Sequence, residues 1–112
     1  MRWVMMLMAL SIPVSAEQSK LTGAQISSML SDKTLYATIN GKSAEQLFLK
    51  NGATYYSLDG AQNQGAWKIE NDKYCSVWPP NETWVCYDVL QDEKHVSFVS
   101  PSGSVSDFSL TQ

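Results

Sequence analysis

Asn40-Gly41, Asn51-Gly52 and Asp59-Gly60 all fall between residues 40 and 60, and apolar-polar alternation runs through the segments around them. An Asn-Gly or Asp-Gly pair tolerates positive φ at two consecutive positions, the requirement of the tight hairpin turn whose twist matches its flanking strands. Such turns leave no length for a crossover helix. The chain is therefore expected to run up and down as short antiparallel strands.

Eight strands follow from this pattern. Leu35, Ala37 and Ile39 alternate with Tyr36 and Thr38 in the first, Glu45 to Lys50 forms the second and Ala53 to Leu58 the third. Gly65 to Glu70 forms the fourth, with Trp67 and Ile69 on one face. Lys73 to Trp78, Thr83 to Val89, His95 to Val99 and Ser104 to Leu110 complete the set. In the last, Val105 is out of step with Phe108 and Leu110, which suggests a bulge near Ser106 or Asp107. Ahead of the strands, Thr22 and Gln25 can cap each other's amides while Leu21 and Ile26 staple the entry, predicting a short helix over 23–31. The fold class is mainly β: a small antiparallel up-and-down barrel, or a strongly curved sheet of about eight strands, with a short N-terminal helix and one disulfide.

The two cysteines, Cys75 and Cys86, lie symmetrically about the Pro79-Pro80-Asn81-Glu82 turn. If Trp78 closes the hairpin against Thr83, then Val77 faces Trp84, Ser76 faces Val85 and Cys75 faces Cys86. The cysteines then occupy a non-hydrogen-bonded pair, close enough for a disulfide. Their spacing is not that of a Cys-x-x-Cys redox motif.

A disulfide requires an oxidising compartment, and the N-terminus agrees. Arg2, the apolar run from Trp3 to Leu10, Pro13 and Val14-Ser15-Ala16 read as a signal peptide over 1–16, leaving a single domain over 17–112. The apolar run is about half of the ~20 residues a spanning helix needs, so no membrane span is expected after cleavage. Without Arg2 the chain has seven lysines, no arginine and 11 acidic residues, which opposes a nucleic-acid partner. The expected localisation is periplasmic or secreted.

No catalytic constellation stands out. His95 is the only histidine, and no nucleophile motif or metal-ligand spacing surrounds it or the nearby Asp88, Asp92 and Glu93. The chain is read as a non-enzyme with no cofactor and no metal. What the sequence does supply is aromatic side chains. Trp67, Trp78, Trp84, Tyr56, Tyr74 and Tyr87 are the candidates for contacting a ligand, with Tyr74, Trp78 and Tyr87 on one face of the cysteine hairpin and Trp84 on the other.

The run Gly65-Ala66-Trp67, then Cys75-Ser76-Val77-Trp78, then Cys86-Tyr87 resembles the Gly-x-Trp, Cys-x-x-Trp, Cys-Tyr pattern of short secreted bacterial proteins of unknown function regarded as lipocalin-like. The segment from Leu21 to Tyr36 is similar to their N-terminal part. The resemblance implies a small periplasmic barrel and carries over no catalytic residues. The expected function is a small binding protein for an apolar ligand or envelope component. The alternative is a protein-interaction domain, such as an inhibitor of a secreted hydrolase, that uses an exposed edge or loop.

Overall fold

The computed structural model describes residues 18–112, so the signal peptide expected over 1–16 lies outside the described residues. The element order is β1 (Ser19–Lys20), α1 (Gly23–Leu30), β2 (Lys33–Ile39), β3 (Lys42–Phe48), β4 (Ala53–Leu58), β5 (Ala61–Glu70), β6 (Lys73–Val77), β7 (Val85–Gln91), β8 (His95–Val99) and β9 (Val105–Ser109). Each strand from β2 to β9 pairs antiparallel with the next. A single pair, Tyr36 with Ser109, then joins β9 back to β2. The result is a closed eight-stranded up-and-down barrel, which settles the choice between barrel and open sheet. β1, which the alternation pattern did not announce, lies along β7 with Ser19 opposite Gln91.

Two of the three turn dipeptides behave as expected. Asn40 and Gly41 have φ of 52° and 79°, Asp59 and Gly60 have 52° and 88°, and each pair turns its hairpin in two residues. At Asn51-Gly52 only the glycine is left-handed, and the Leu49 amide donates to Ala53 O at 2.8 Å, giving a longer, bulged loop. A further left-handed pair, Asn71 and Asp72 with φ of 54° and 58°, joins β5 to β6 without a glycine. Asn and Asp tolerate this region better than other side chains.

An up-and-down barrel sends alternate turns to opposite ends. Turns at 49–52, 71–72 and 92–94 lie at the end where α1 packs against β2, β5 and β6. The helix is tied there by its ends. Thr22 Oγ1 accepts from the Gln25 amide and Gln25 Oε1 from the Thr22 amide, the capping box expected from sequence. Asp72 Oδ1 also accepts from the Gly23 amide at 2.6 Å, placing a carboxylate at the helix N-terminus. At the other end Asp32 turns the chain with φ 60° and accepts from the Lys50 amide at 2.8 Å. Ile26 and Leu30 are driven fully into the barrel end.

The interior is filled. Leu35, Phe48, Trp67, Tyr74, Val89, Val96, Phe98 and Phe108 form one buried cluster. Phe48 sits at its centre, edge-on to Trp67 at 5.8 Å and to Tyr74 at 5.7 Å between ring centroids. Such edge-to-face pairs are favoured by the ring quadrupoles.

Two expectations are corrected. β9 pairs with β8 without interruption from His95–Ser109 to Val99–Val105, so there is no bulge at Ser106 or Asp107. Val105 and Phe108 are three positions apart, which puts them on opposite faces of a regular strand: Val105 points out and is 56% exposed, while Phe108 points in. In the cysteine hairpin, Cys75 does face Cys86 and Ser76 faces Val85, with the disulfide formed across a Cα separation of 3.9 Å. Pairing ends there. Val77 and Trp78 do not pair with Trp84 and Thr83, because Pro79 and Pro80 supply no amide hydrogens and Trp78 swings over the barrel mouth instead.

Candidate functional site

The mouth of the barrel, opposite α1, is bordered by the turns at 40–41, 59–60, 78–84 and 100–104. Trp78 dominates it. Its indole lies directly on Gly65 of β5: a methyl group at position 65 would stand 2.7 Å from Trp78 Cε3 and 2.6 Å from the Val77 carbonyl oxygen. The glycine of the Gly-x-Trp run is thus an opening in the wall that an indole occupies. Trp78 Nε1 donates to Ser76 Oγ at 3.2 Å, and its ring meets Tyr56 edge-on at 6.5 Å.

Trp78 divides two spaces. Outside it, a cleft of about 420 Å³ is lined by Tyr56, Asn63, Trp78, Pro79, Pro80 and Asn81. Inside it, a chamber of about 110 Å³ has Gln46, Tyr74 and Ser76 as its polar floor, with Tyr87, Phe98 and Phe108 as aromatic walls and Ser106 at the side. No Lys, Arg, Asp, Glu or His lines either space.

The floor is a buried polar network. Gln46 Nε2 donates to Thr54 Oγ1 and to the Tyr74 hydroxyl, both at 3.1 Å, and Thr54 Oγ1 donates to Leu47 O at 2.8 Å. Burial pushes the Tyr74 hydroxyl up to about 12, because a phenolate would lose its hydration; hydrogen bonds from Ser76 and Gln46 act in the opposite direction. Tyr74 therefore stays a neutral hydroxyl, and the floor offers hydrogen bonds without charge.

Four of the six aromatic candidates gather at this mouth. Tyr56 and Trp78 flank the cleft, and Tyr74 and Tyr87, stacked at a tilt 5.9 Å apart, line the chamber. The other two stand elsewhere. Trp67 shares the inner face but lies deeper, toward α1, where its Nε1 donates to Leu49 O at 2.8 Å. Trp84 lies on the outer wall, 38% exposed, with Lys68 Nζ 4.3 Å above its ring. Gln46, Asn63, Asn81, Phe98 and Phe108 were not among the sequence candidates. Gln46 could have been found by extending the β3 alternation as Ala44-Gln46-Phe48, which puts its amide on an inward face.

The polar sites weighed from sequence are turn and surface contacts. Asp92 accepts from the Lys94 and His95 amides at 2.9 and 2.7 Å, bonds that hold its carboxyl below the usual range. His95 stands exposed beside it at 3.5 Å. Asp88 is held low chiefly by the hydrogen bond from Lys73 at 2.6 Å. Glu70 lies near both cysteine sulfurs, but these are joined to each other and offer no thiolate to a metal. Among the described residues no helix is long and apolar enough to cross a membrane.

No family model, curated protein or solved structure matches the chain. The likeness of its Gly-x-Trp, Cys-x-x-Trp, Cys-Tyr run to lipocalin-like secreted proteins stays a resemblance of motif, and the reading of the site rests on geometry.

Proposed function

We propose that the chain is a small secreted or periplasmic binding protein that takes an uncharged, largely apolar ligand or envelope component at the barrel mouth. The observation carrying this reading is the cleft lined by the touching rings of Tyr56 and Trp78. Its volume of about 420 Å³ falls in the range of small-molecule sites, roughly 300–1,000 Å³, and its walls are aromatic and proline rings with a few polar groups. Because the barrel interior is packed with Phe48, Trp67, Tyr74 and Phe98, the ligand sits at the mouth and not in a central cavity. The signal-like N-terminus and the disulfide support an oxidising compartment. The absence of any charged lining residue argues against a fatty-acid carboxylate, which would find no counter-ion.

The test is titration of the folded protein with the neutral probe N-phenyl-1-naphthylamine, followed by probe and tryptophan fluorescence. Binding that Trp78→Ala and Tyr56→Ala each weaken by about tenfold or more, and that Trp84→Ala leaves intact, supports the reading. Absence of binding, or binding indifferent to Trp78 and Tyr56, ends it.

One observation favours the alternative of a protein-interaction domain. The β2–β9 seam is held by one pair, and Ile39 and Val105, 39% and 56% exposed, stand on its two strands. Open strand edges with apolar side chains are where an extended segment of a partner adds a strand.

A further inference from the structure

The floor of the inner chamber contains a hydrogen-bond acceptor without a donor. Gln46 is only 7% exposed. The Thr54 hydroxyl proton is committed to Leu47 O, so the Thr54 oxygen can only accept, which turns Gln46 Nε2 toward it. The same nitrogen donates to Tyr74. Gln46 Oε1 is thereby directed away from both partners and has no donor among the described residues. A buried carbonyl oxygen in this state calls for a donor from elsewhere.

Beside it are hydroxyls that can turn a proton. Ser76 Oγ accepts from Trp78 Nε1 and gives its own proton to Tyr74, whose hydroxyl also accepts from Gln46, so the Tyr74 proton is the one left to turn toward the chamber. Opposite are the rings of Phe98 and Phe108, which stack edge-on at 5.6 Å and offer only apolar surface. The chamber therefore asks for a small neutral group with one N–H donor, one carbonyl acceptor and an apolar end. At about 110 Å³ it is smaller than the ~150 Å³ cavity that admits a benzene ring, so a substituent enters and the ring that bears it remains outside. Outside, the cleft provides the Tyr56 and Trp78 rings for the C–H face of a ring and the Asn63 and Asn81 amides for hydroxyl groups.

We infer that the ligand is an N-acetylated hexosamine unit, its pyranose ring in the Tyr56–Trp78 cleft and its acetamido group in the chamber. The acetamido N–H donates to Gln46 Oε1, its carbonyl accepts from the Tyr74 hydroxyl, and its methyl lies against Phe98 and Phe108. This rests on the reading of the mouth as the binding site and names the class of envelope component it takes.

The experiment is titration calorimetry and saturation-transfer NMR of the protein with N,N′-diacetylchitobiose and with cellobiose, which carries hydroxyls where the first has acetamido groups. Diacetylchitobiose is expected to bind about tenfold or more tightly than cellobiose, with the strongest saturation transfer on the acetyl methyl. Gln46→Met removes the acceptor and brings the two sugars to nearly equal affinity. Should that variant not fold, Ser106→Leu at the exposed side of the chamber blocks the acetamido group and erases the preference in the same way. Equal affinities in the unsubstituted protein overturn the inference. Binding of N-phenyl-1-naphthylamine that needs Trp78, with neither sugar bound, also overturns it while leaving the mouth as a ligand site. If neither sugar nor probe binds, both readings fall.

Discussion

Gly65→Ala is the sharpest test of how the mouth is built, because the position needs no unusual backbone and its glycine is explained only by what leans on it. The new methyl would stand 2.6 Å from the Val77 carbonyl oxygen and 2.7 and 2.9 Å from two carbons of the Trp78 indole. None of these is the free end of a flexible chain: the oxygen belongs to β6, and the indole is held by its hydrogen bond to Ser76. Overpacking of this kind costs about 1–3 kcal/mol. Against it stands a gain of about 0.4–1 kcal/mol, since alanine has less freedom than glycine in the unfolded chain. The net expectation is a destabilisation of about 1.5 kcal/mol, or a fall in Tm of about 6–12 °C for a domain this size. Urea unfolding read by fluorescence and far-UV circular dichroism measures it. Repeating the substitution in a Trp78→Ala background separates the two contacts. The carbonyl clash persists and the indole clash disappears, so the two substitutions should couple by about 0.5 kcal/mol or more. A Gly65→Ala protein as stable as the parent, or purely additive effects, would show that Trp78 does not rest on β5 and would remove the partition between cleft and chamber.

Truncating Trp67, which is buried against Phe48 and Tyr74, should cost about 3–5 kcal/mol, whereas Trp84→Ala on the outer wall should cost under about 1 kcal/mol. The order of the two urea midpoints checks which aromatic face is core. Opening the Cys75–Cys86 bond, which spans a sequence separation of 11, should cost about 3 kcal/mol in the chain-entropy account, seen as a lower Tm under reducing conditions. For Tyr74, the folded value near 12 exceeds the unfolded value of 10.0, so the folded state holds its proton where the unfolded state has lost it. Stability should fall between pH about 10 and about 12, by on the order of 3 kcal/mol, and Tyr74→Phe should flatten that part of the profile. Asp88 and Asp92 have the opposite sign: both are depressed in the fold, so their contribution is present above pH 3.8 and is lost as pH falls below it, and Lys73→Met, which removes the chief cause at Asp88, should flatten the acid side of the Tm profile.

Much of the fold is legible because local and long-range signals coincide. Alternation in Leu35-Ala37-Ile39 and Trp67-Ile69, glycine-bearing turns and the symmetric cysteines each specify pairing between neighbours in sequence, and a meander has little else to specify. The turn between Glu70 and Lys73 is legible from the strand bounds, and Asn71-Asp72 makes it without glycine because two side chains tolerant of positive φ stand together, one of them also holding α1. The bulge expected near Ser106 is absent because Val105 is an exposed apolar residue, and an apolar side chain does not by itself mark an inward face. The mouth leaves the least trace in the sequence. Trp78 belongs to the Cys75 strand in sequence but leaves the ladder where the prolines end it, and its resting place on Gly65 depends on the β5–β6 register, with Ala66 opposite Val77. The Gln46 network depends on three strands at once and leaves no mark in any one of them.

The two ends of the barrel are bonded differently, and the proposed site lies at the more loosely paired one. At the helix end the first-turn amide of Gly23, the Asp32 carboxylate and the Trp67 indole all find partners across the chain, and the aromatic cluster fills the space beneath α1. The open space at that end, a cleft of about 430 Å³ beside α1, is bordered by Lys50 and Lys68 and lies outside the aromatic cluster. The mouth is more loosely paired: the ladder of the cysteine hairpin stops early, the β2–β9 seam carries one pair, and the buried Gln46 lines a small chamber. A chain selected for stability alone would extend the hairpin pairing and replace Gln46 with leucine or methionine, since an apolar group there needs no partner. Retaining a polar floor beneath an aromatic lid is what a site for a neutral, hydrogen-bonding ligand requires. The disulfide lies where such a site needs it, one residue pair from the point at which β6 and β7 separate, so that Trp78 can leave the sheet without the two strands parting behind it.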